Sequence, residues 1–169
     1  MPKSAYQAFQ PRNKTHWHSA APTTIAAYCL ANGYFLNIEI KPSPGLEATT
    51  GAAVADAVAR LWKTTPTPPL LTSFHPAALQ AAQAAQPHLP RGLLLDRMKT
   101  DWLKTARELG CVAVVAHHTL WNQATVNQAR GAGLRTLAYT VNDAETAQRL
   151  LALGTDGIIT DQVDVFKPD

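Results

Sequence analysis

Two cysteines, Cys29 and Cys111, are all that 169 residues contain, and they lie far apart with neither CxxC spacing nor a histidine beside them. That excludes a disulfide framework and a thiolate metal site, and it leaves both as reduced core thiols. Long apolar runs are also missing. No stretch approaches the roughly 18 apolar residues of a spanning helix. The start, Met1-Pro2-Lys3-Ser4-Ala5-Tyr6-Gln7, has no apolar signal-peptide core, so the cytoplasm is the expected compartment. Charge is scarce and balanced: 15 Lys and Arg against 12 Asp and Glu give a net +3. The basic residues are scattered, which leaves no footprint for nucleic acid. A GxGxxG fingerprint is absent after the first strand, which removes support for a dinucleotide fold. Hydrophobic residues nevertheless make up 46% of the chain, enough for a globular core.

What the chain does have is alternation. Short apolar runs cover Tyr34–Ile40, Leu70–Ser73, Gly92–Leu95, Val112–Ala116, Leu134–Tyr139 and Gly157–Thr160. Between them lie helical patterns over Ala48–Trp62, Ala77–Ala85, Trp102–Leu109, Ala124–Ala132 and Ala144–Leu153, and Thr24–Ala31 reads as a helix leading into the first run. Gly110, Gly133 and Gly154 stand just past helix ends, and Asn142-Asp143 offers a cap. Runs beginning at 70, 91, 112, 134 and 157 are spaced by 21, 21, 22 and 23 residues, the repeat of a βα unit. The expectation is a parallel α/β sheet of the TIM-type βα barrel class, with six strands where closure needs eight. Met1 to Ala20 shows no periodicity and is expected to be an irregular arm. Its His16-Trp17-His18 has no third ligand at hand and reads as exposed tail.

Site candidates follow from the barrel rule that chemistry sits at the carboxyl ends of strands. Asn37-Ile38-Glu39-Ile40-Lys41-Pro42 places Glu39 and Lys41 on one strand face, where a covered parallel sheet should carry neither charge unpaired. A Glu39–Lys41 ion pair is the bland alternative to a site. Further along the rim come Ser73, Phe74, Asp96, His117, His118, Tyr139, Thr140, Asn142, Thr160 and Asp161, of which helix capping accounts for Asn142 and Thr160. His117 and His118 offer general acid or base, since an imidazole side chain ordinarily titrates near neutrality, and only one of two adjacent strand residues points inward. Of the two, His118 is the acid–base candidate. Trp121 and Tyr139 either wall a pocket or pack in the core.

Taken together, Leu36-Asn37-Ile38-Glu39-Ile40-Lys41-Pro42, Leu71-Thr72-Ser73-Phe74, Arg91-Gly92-Leu93-Leu94, Tyr139-Thr140-Val141-Asn142 and Asp156-Gly157-Ile158-Ile159-Thr160-Asp161 resemble the bacterial glycerophosphodiester phosphodiesterases, in order from about Ala21 to Asp164. The resemblance implies a βα barrel that uses a divalent cation, Mg²⁺ or Ca²⁺, to hydrolyse glycerophosphodiesters to an alcohol and glycerol 3-phosphate. It implies that Glu39 is a metal ligand, that Lys41 neutralises charge in the same pocket, and that Phe74 and Tyr139 line the substrate cleft. In the family, one histidine deprotonates a nucleophile, the substrate's own 2-hydroxyl, while a second protonates the leaving alkoxide.

The family's opening His-Arg-Gly strand, its Glu-x-Asp strand and its His-Asp pair have no counterpart here, and Val163 stands where the family has Pro. Those segments supply two metal carboxylates and both acid–base histidines. The chain is therefore expected to be an amino-terminally truncated barrel, residues 21–169, lacking its first two strands and impaired in catalysis. Its two open sheet edges invite self-association. A non-catalytic remnant or subunit assembling through that edge is the alternative, and an enzyme of other chemistry using His118 and Asp161 is a third reading.

Overall fold

A computed structural model describes residues 22–162 and 164–166; residues 1–20, for which an irregular arm is expected, and with them His16-Trp17-His18, lie outside the described residues. Helix α1 (Pro22–Ala31) opens the chain, followed by β1 (Asn37–Glu39), α2 (Glu47–Leu61), β2 (Leu70–Ser73) and α3 (Pro76–Ala85). Next come β3 (Arg91–Leu95), α4 (Trp102–Glu108), β4 (Ala113–His117), α5 (Gln123–Gly131), β5 (Arg135–Tyr139), α6 (Ala144–Leu153) and β6 (Gly157–Ile158). All six strands are parallel and lie side by side in chain order. They form the curled half-barrel that the βα repeat predicts.

Two faces follow from the period-two geometry of the strands. Ile40, Leu71, Leu93, Leu95, Val114, Ala116 and Ala138 point outward and are buried under the helices. Leu70, Leu94, Ala113, Val115 and Leu137 form a smaller cluster on the concave face. Gly92 belongs to that face because a Cβ there would press on Thr72 and Val115. At the sheet's amino end, the Arg91 guanidinium is buried and donates to the carbonyls of Leu89, Pro87, Leu109 and Gly110. Asp156 accepts from the Thr136 amide at 2.7 Å and its hydroxyl at 3.0 Å, joining β5 to β6. Two positions of the family motifs are thus structural, at the end of the sheet opposite the expected site.

The first strand is shorter than its apolar run. Gly33 adopts φ 66° and the Tyr34 amide donates to the Cys29 carbonyl, so Gly33 and Tyr34 terminate α1 instead of entering the sheet. Pairing still extends beyond β1 itself: Leu70 N bonds Leu36 O and Ile40 N bonds Thr72 O. A second difference concerns charge. Glu39 and Lys41 are both exposed, and no ion pair joins them. The expected covered face fails at β1 because, among the described residues, this strand has a neighbour on one side only. The concave side remains wet there.

Candidate functional site

Every residue that closes a concave-face strand position gathers at the carboxyl rim. Parity puts Glu39, Phe74, Asp96, His117 and Tyr139 on the concave side of successive strands or just past their ends. Lys41 follows Glu39, exposed, where the chain leaves the sheet. Tyr139 is central. Its hydroxyl donates to the Leu95 carbonyl at 2.8 Å, while its ring meets Phe74 at 6.1 Å and His117 at 5.8 Å, both nearly perpendicular. Burial raises the Tyr139 phenol above its ordinary pKa, and the negative charges of Asp96 and Glu39 raise it further. Both carboxylates therefore act on the same ring.

The two histidines do not take opposite faces as adjacent strand residues would, because the chain has already left β4 at His118. His117 ends β4 and faces the concave rim, whereas His118 starts a short 3-10 turn, His118–Leu120, with its carbonyl accepting from Arg149 of α6 at 2.9 Å. The His117 Nδ1 accepts from the Thr119 amide at 3.4 Å and lies 2.8 Å from its hydroxyl. That places the proton of the neutral ring on Nε2, leaving a donor for an oxyanion. The His118 ring stacks on His117 at 4.4 Å, and its enclosed Nδ1 has no hydrogen-bond partner. Burial lowers its basicity, as do His117 and Arg149, with Asp143 opposing, so the ring stays neutral near pH 7. No hydrogen bond or ion pair connects His118 to Asp161, whose Oδ2 instead accepts from Asn142 at 3.4 Å.

Other rim groups have structural work. Asn142 does not cap α6, as its position predicts; Asp143 does, accepting from the Thr146 amide at 2.7 Å. The Asn142 Oδ1 accepts instead from Thr160 Oγ1 and the Asp161 amide, holding the end of the last strand. Ser73 donates to the Ile40 carbonyl at 2.7 Å. Trp121 is core, 2% exposed with its indole N–H on the Leu137 carbonyl. Asp96 was visible in the sequence as a strand-end carboxylate, but its shared action with Glu39 on Tyr139 depends on strand order, which no local pattern encodes.

The divalent cation meets a plain test here. A hard cation takes several oxygen ligands. Among the described residues, no three His, Cys, Asp or Glu side chains converge to hold one. Neither Glu39 nor Asp96 belongs to such a group, so these residues alone do not fit a cation site. Nor is any helix among them long and apolar enough to cross a membrane.

Comparison with known proteins bears directly on this rim. Residues 10–165 match the family described as Glycerophosphoryl diester phosphodiesterase. An Oleispira antarctica phosphodiesterase, solved in complex with the product sn-glycerol-3-phosphate, superposes with TM-score 0.74 at 29% identity, covering 83% of this chain and 56% of that one. The Bacillus subtilis protein YhdW, provisionally named a glycerophosphodiester phosphodiesterase, is 27% identical over 104 residues, 59% of this chain and 42% of its own. A glycerophosphodiester phosphodiesterase from Thermotoga maritima shares the fold, with TM-score 0.60 at 21% identity over 79% of this chain and 56% of that one. The chain thus spans about half the length of the relatives it matches.

Proposed function

The chain belongs to the glycerophosphoryl diester phosphodiesterase family, and from that premise we propose that its concave rim is the substrate-binding part of a site that hydrolyses glycerophosphodiesters to an alcohol and glycerol 3-phosphate. The observation that carries the reading is the convergence of Glu39, Phe74, Asp96, His117 and Tyr139 from five successive strand ends on one rim. In this reading Lys41 neutralises phosphate charge and Phe74 and Tyr139 line the cleft, while Glu39, the metal ligand that the resemblance implies, belongs to no group of three ligating side chains among the described residues.

Hydrolysis adds water across a P–O bond, so it needs a group to take the proton of the attacking hydroxyl and one to protonate the leaving alkoxide. His117, whose Nδ1 accepts from the Thr119 amide, supplies a donor at Nε2; the second imidazole beside it is that of His118, whose enclosed Nδ1 has no hydrogen-bond partner. His118, its backbone carbonyl held by Arg149 and its ring against His117, is the weaker acid–base candidate. The residues described here are therefore proposed to bind the diester and to turn it over slowly, if at all, by themselves. The reading that the chain is a non-catalytic subunit gains support only from the open edges of β1 and β6 among the described residues.

The test has two arms on the purified chain. Calorimetry with glycerol 3-phosphate is expected to give binding weakened about tenfold, or ~1.4 kcal/mol, by Lys41→Ala. Release of glycerol 3-phosphate from glycerophosphocholine with Mg²⁺, Ca²⁺ or chelator is expected to stay at background. Robust cation-dependent turnover that Glu39→Ala abolishes would overturn the slow-turnover part; no binding of glycerol 3-phosphate would overturn the whole.

A further inference from the structure

The turn that follows β4 is gripped by a residue of another element. His118–Leu120 is a 3-10 turn of three residues, whose i to i+3 bonds have poor geometry, so its place depends on what holds its carbonyls. Thr125 Oγ1 donates to that of Leu120 at 3.3 Å. Arg149 of α6 holds the two on either side: Nη2 donates to the His118 carbonyl at 2.9 Å and Nη1 to the Trp121 carbonyl at 3.2 Å. One planar guanidinium thus spans the turn from end to end. The parts it joins are themselves seated, Trp121 by its indole N–H on the Leu137 carbonyl and α6 by buried Ala147 and Leu150. Arg149 is exposed, and among the described residues no ion pair joins it to a carboxylate.

Between the two held carbonyls sits Thr119, whose amide and hydroxyl meet the His117 Nδ1 at 3.4 and 2.8 Å. The His118 ring, on the same turn, packs 4.4 Å from that of His117. Resting on the reading of the rim as the diester site, we propose that Arg149 is a positioning residue for His117: by clamping residues 118–121 it keeps Thr119 on Nδ1, and so keeps the ring N–H at Nε2, available to a substrate oxygen. Which imidazole nitrogen carries the proton is set by the hydrogen bond the other one makes. Removing the guanidinium leaves the buried faces of α6 and β4 intact, so the fold persists. The turn is freed, Thr119 leaves Nδ1 for part of the time, and His117 divides between its two neutral forms. The Nδ1–H form presents an acceptor at Nε2, where the substrate oxygen needs a donor.

The test is the tautomer of His117, read from long-range proton–nitrogen NMR spectra of the full nitrogen-15-labelled chain at a pH where the ring is neutral. The native chain is expected to show Nε2–H with Nδ1 as acceptor. Arg149→Ala and Arg149→Lys are both expected to raise the Nδ1–H fraction at least about threefold while the urea midpoint stays in place, since lysine keeps the charge without the planar fork. Thr119→Ser, which keeps the amide and the hydroxyl, is expected to keep the native tautomer. A native ring protonated at Nδ1 would overturn the proposal with no variant needed. So would an Nδ1–H fraction unmoved in Arg149→Ala, or one restored by Arg149→Lys, which would make the effect one of charge. Glycerol 3-phosphate is titrated into the native chain separately. If it binds while the tautomer ignores Arg149, only the positioning role fails. If the tautomer follows Arg149 while glycerol 3-phosphate does not bind, the diester reading fails and the control of the ring by Arg149 stands.

Discussion

Strands β4 and β5 pair over five residues and lie between neighbours on both sides, whereas β1 pairs over three and β6 over two. The helix side differs in the same sense. Under β3 to β6 a continuous cluster includes Leu93, Val114, Trp102, Trp121, Val126 and Leu150, nearly all under 6% exposed. Beside β1, an apolar groove of about 560 Å³ opens between α1 and α2, lined by Ile25, Leu36, Ile38, Val54 and Leu61, with Leu46 52% exposed at its edge. The lesson is that stability and chemistry are divided unevenly. His117 and Tyr139 ride on the best-supported strands, while Glu39 ends a short edge strand and Lys41 lies just beyond it. The acidic side of the rim is therefore expected to open locally at a lower free-energy cost than the strands at the centre.

The strongest way to break this contrast is Trp121→Ala. It removes a fully enclosed indole, its bond to Leu137 and its edge contact with Trp102. The expected loss is about 3–5 kcal/mol in urea unfolding, because the surrounding strands cannot collapse into the cavity. Leu46→Ala at the groove should stay within ~0.5 kcal/mol. Similar losses at the two sites would mean the edge is as well packed as the centre.

The two thiols sharpen the contrast without large perturbation, since Cys29 lies in α1 and Cys111 just before β4, both buried. Burial pushes the Cys111 thiol up to about 11, partly offset by Arg91 and the Leu93 backbone, so it is almost all protonated at pH 8. Burial raises the Cys29 thiol as well. With the native chain at pH 8, Cys29 is expected to be labelled at least about tenfold faster than Cys111, because local opening of the edge exposes it without global unfolding. Equal rates across a denaturant series would merge the two regions into one cooperative unit.

The smallest effect concerns the β6 side. Hydrogen bonds from the Thr146 amide and then its hydroxyl hold the Asp143 carboxyl below its ordinary pKa. A depressed folded-state pKa gives stabilisation that is present above the unfolded value near 4 and lost as pH falls through the folded one. The stability difference between the native chain and Asp143→Asn should therefore shrink toward zero as pH falls below about 4. A difference independent of pH would place the effect of Asp143 elsewhere than in its charge.

Sequence periodicity predicted the six strands, with β2 to β6 starting within a residue of where they lie, because short apolar runs bounded by Gly and Pro leave little choice. The first strand was misread at its start, since Tyr34 and Phe35 look like strand residues but follow a glycine that closes a helix. The Asn122 capping box with Thr125 was present in the sequence and unread. At the rim, Glu39, Phe74, His117 and Tyr139 were legible as strand ends. Their relation was not: which histidine faces inward, and that Tyr139 gives its hydroxyl to Leu95, depend on packing between strands more than forty residues apart in the chain. The exposure of Glu39 was missed for a different reason. Alternation reports what a strand's faces prefer, while edge position is a property of the whole sheet.

The strictly consecutive strand order carries a consequence for how the molecule comes into being. Each strand after the first hydrogen-bonds the one synthesised just before it, so every new βα unit, some 21 to 23 residues long from β2 onward, docks onto a template already in place. Loops to be closed stay short, which favours rapid assembly and suits growth from a ribosome in one direction. An architecture assembled in this way can gain or shed a unit at its margin while the units between keep their partners.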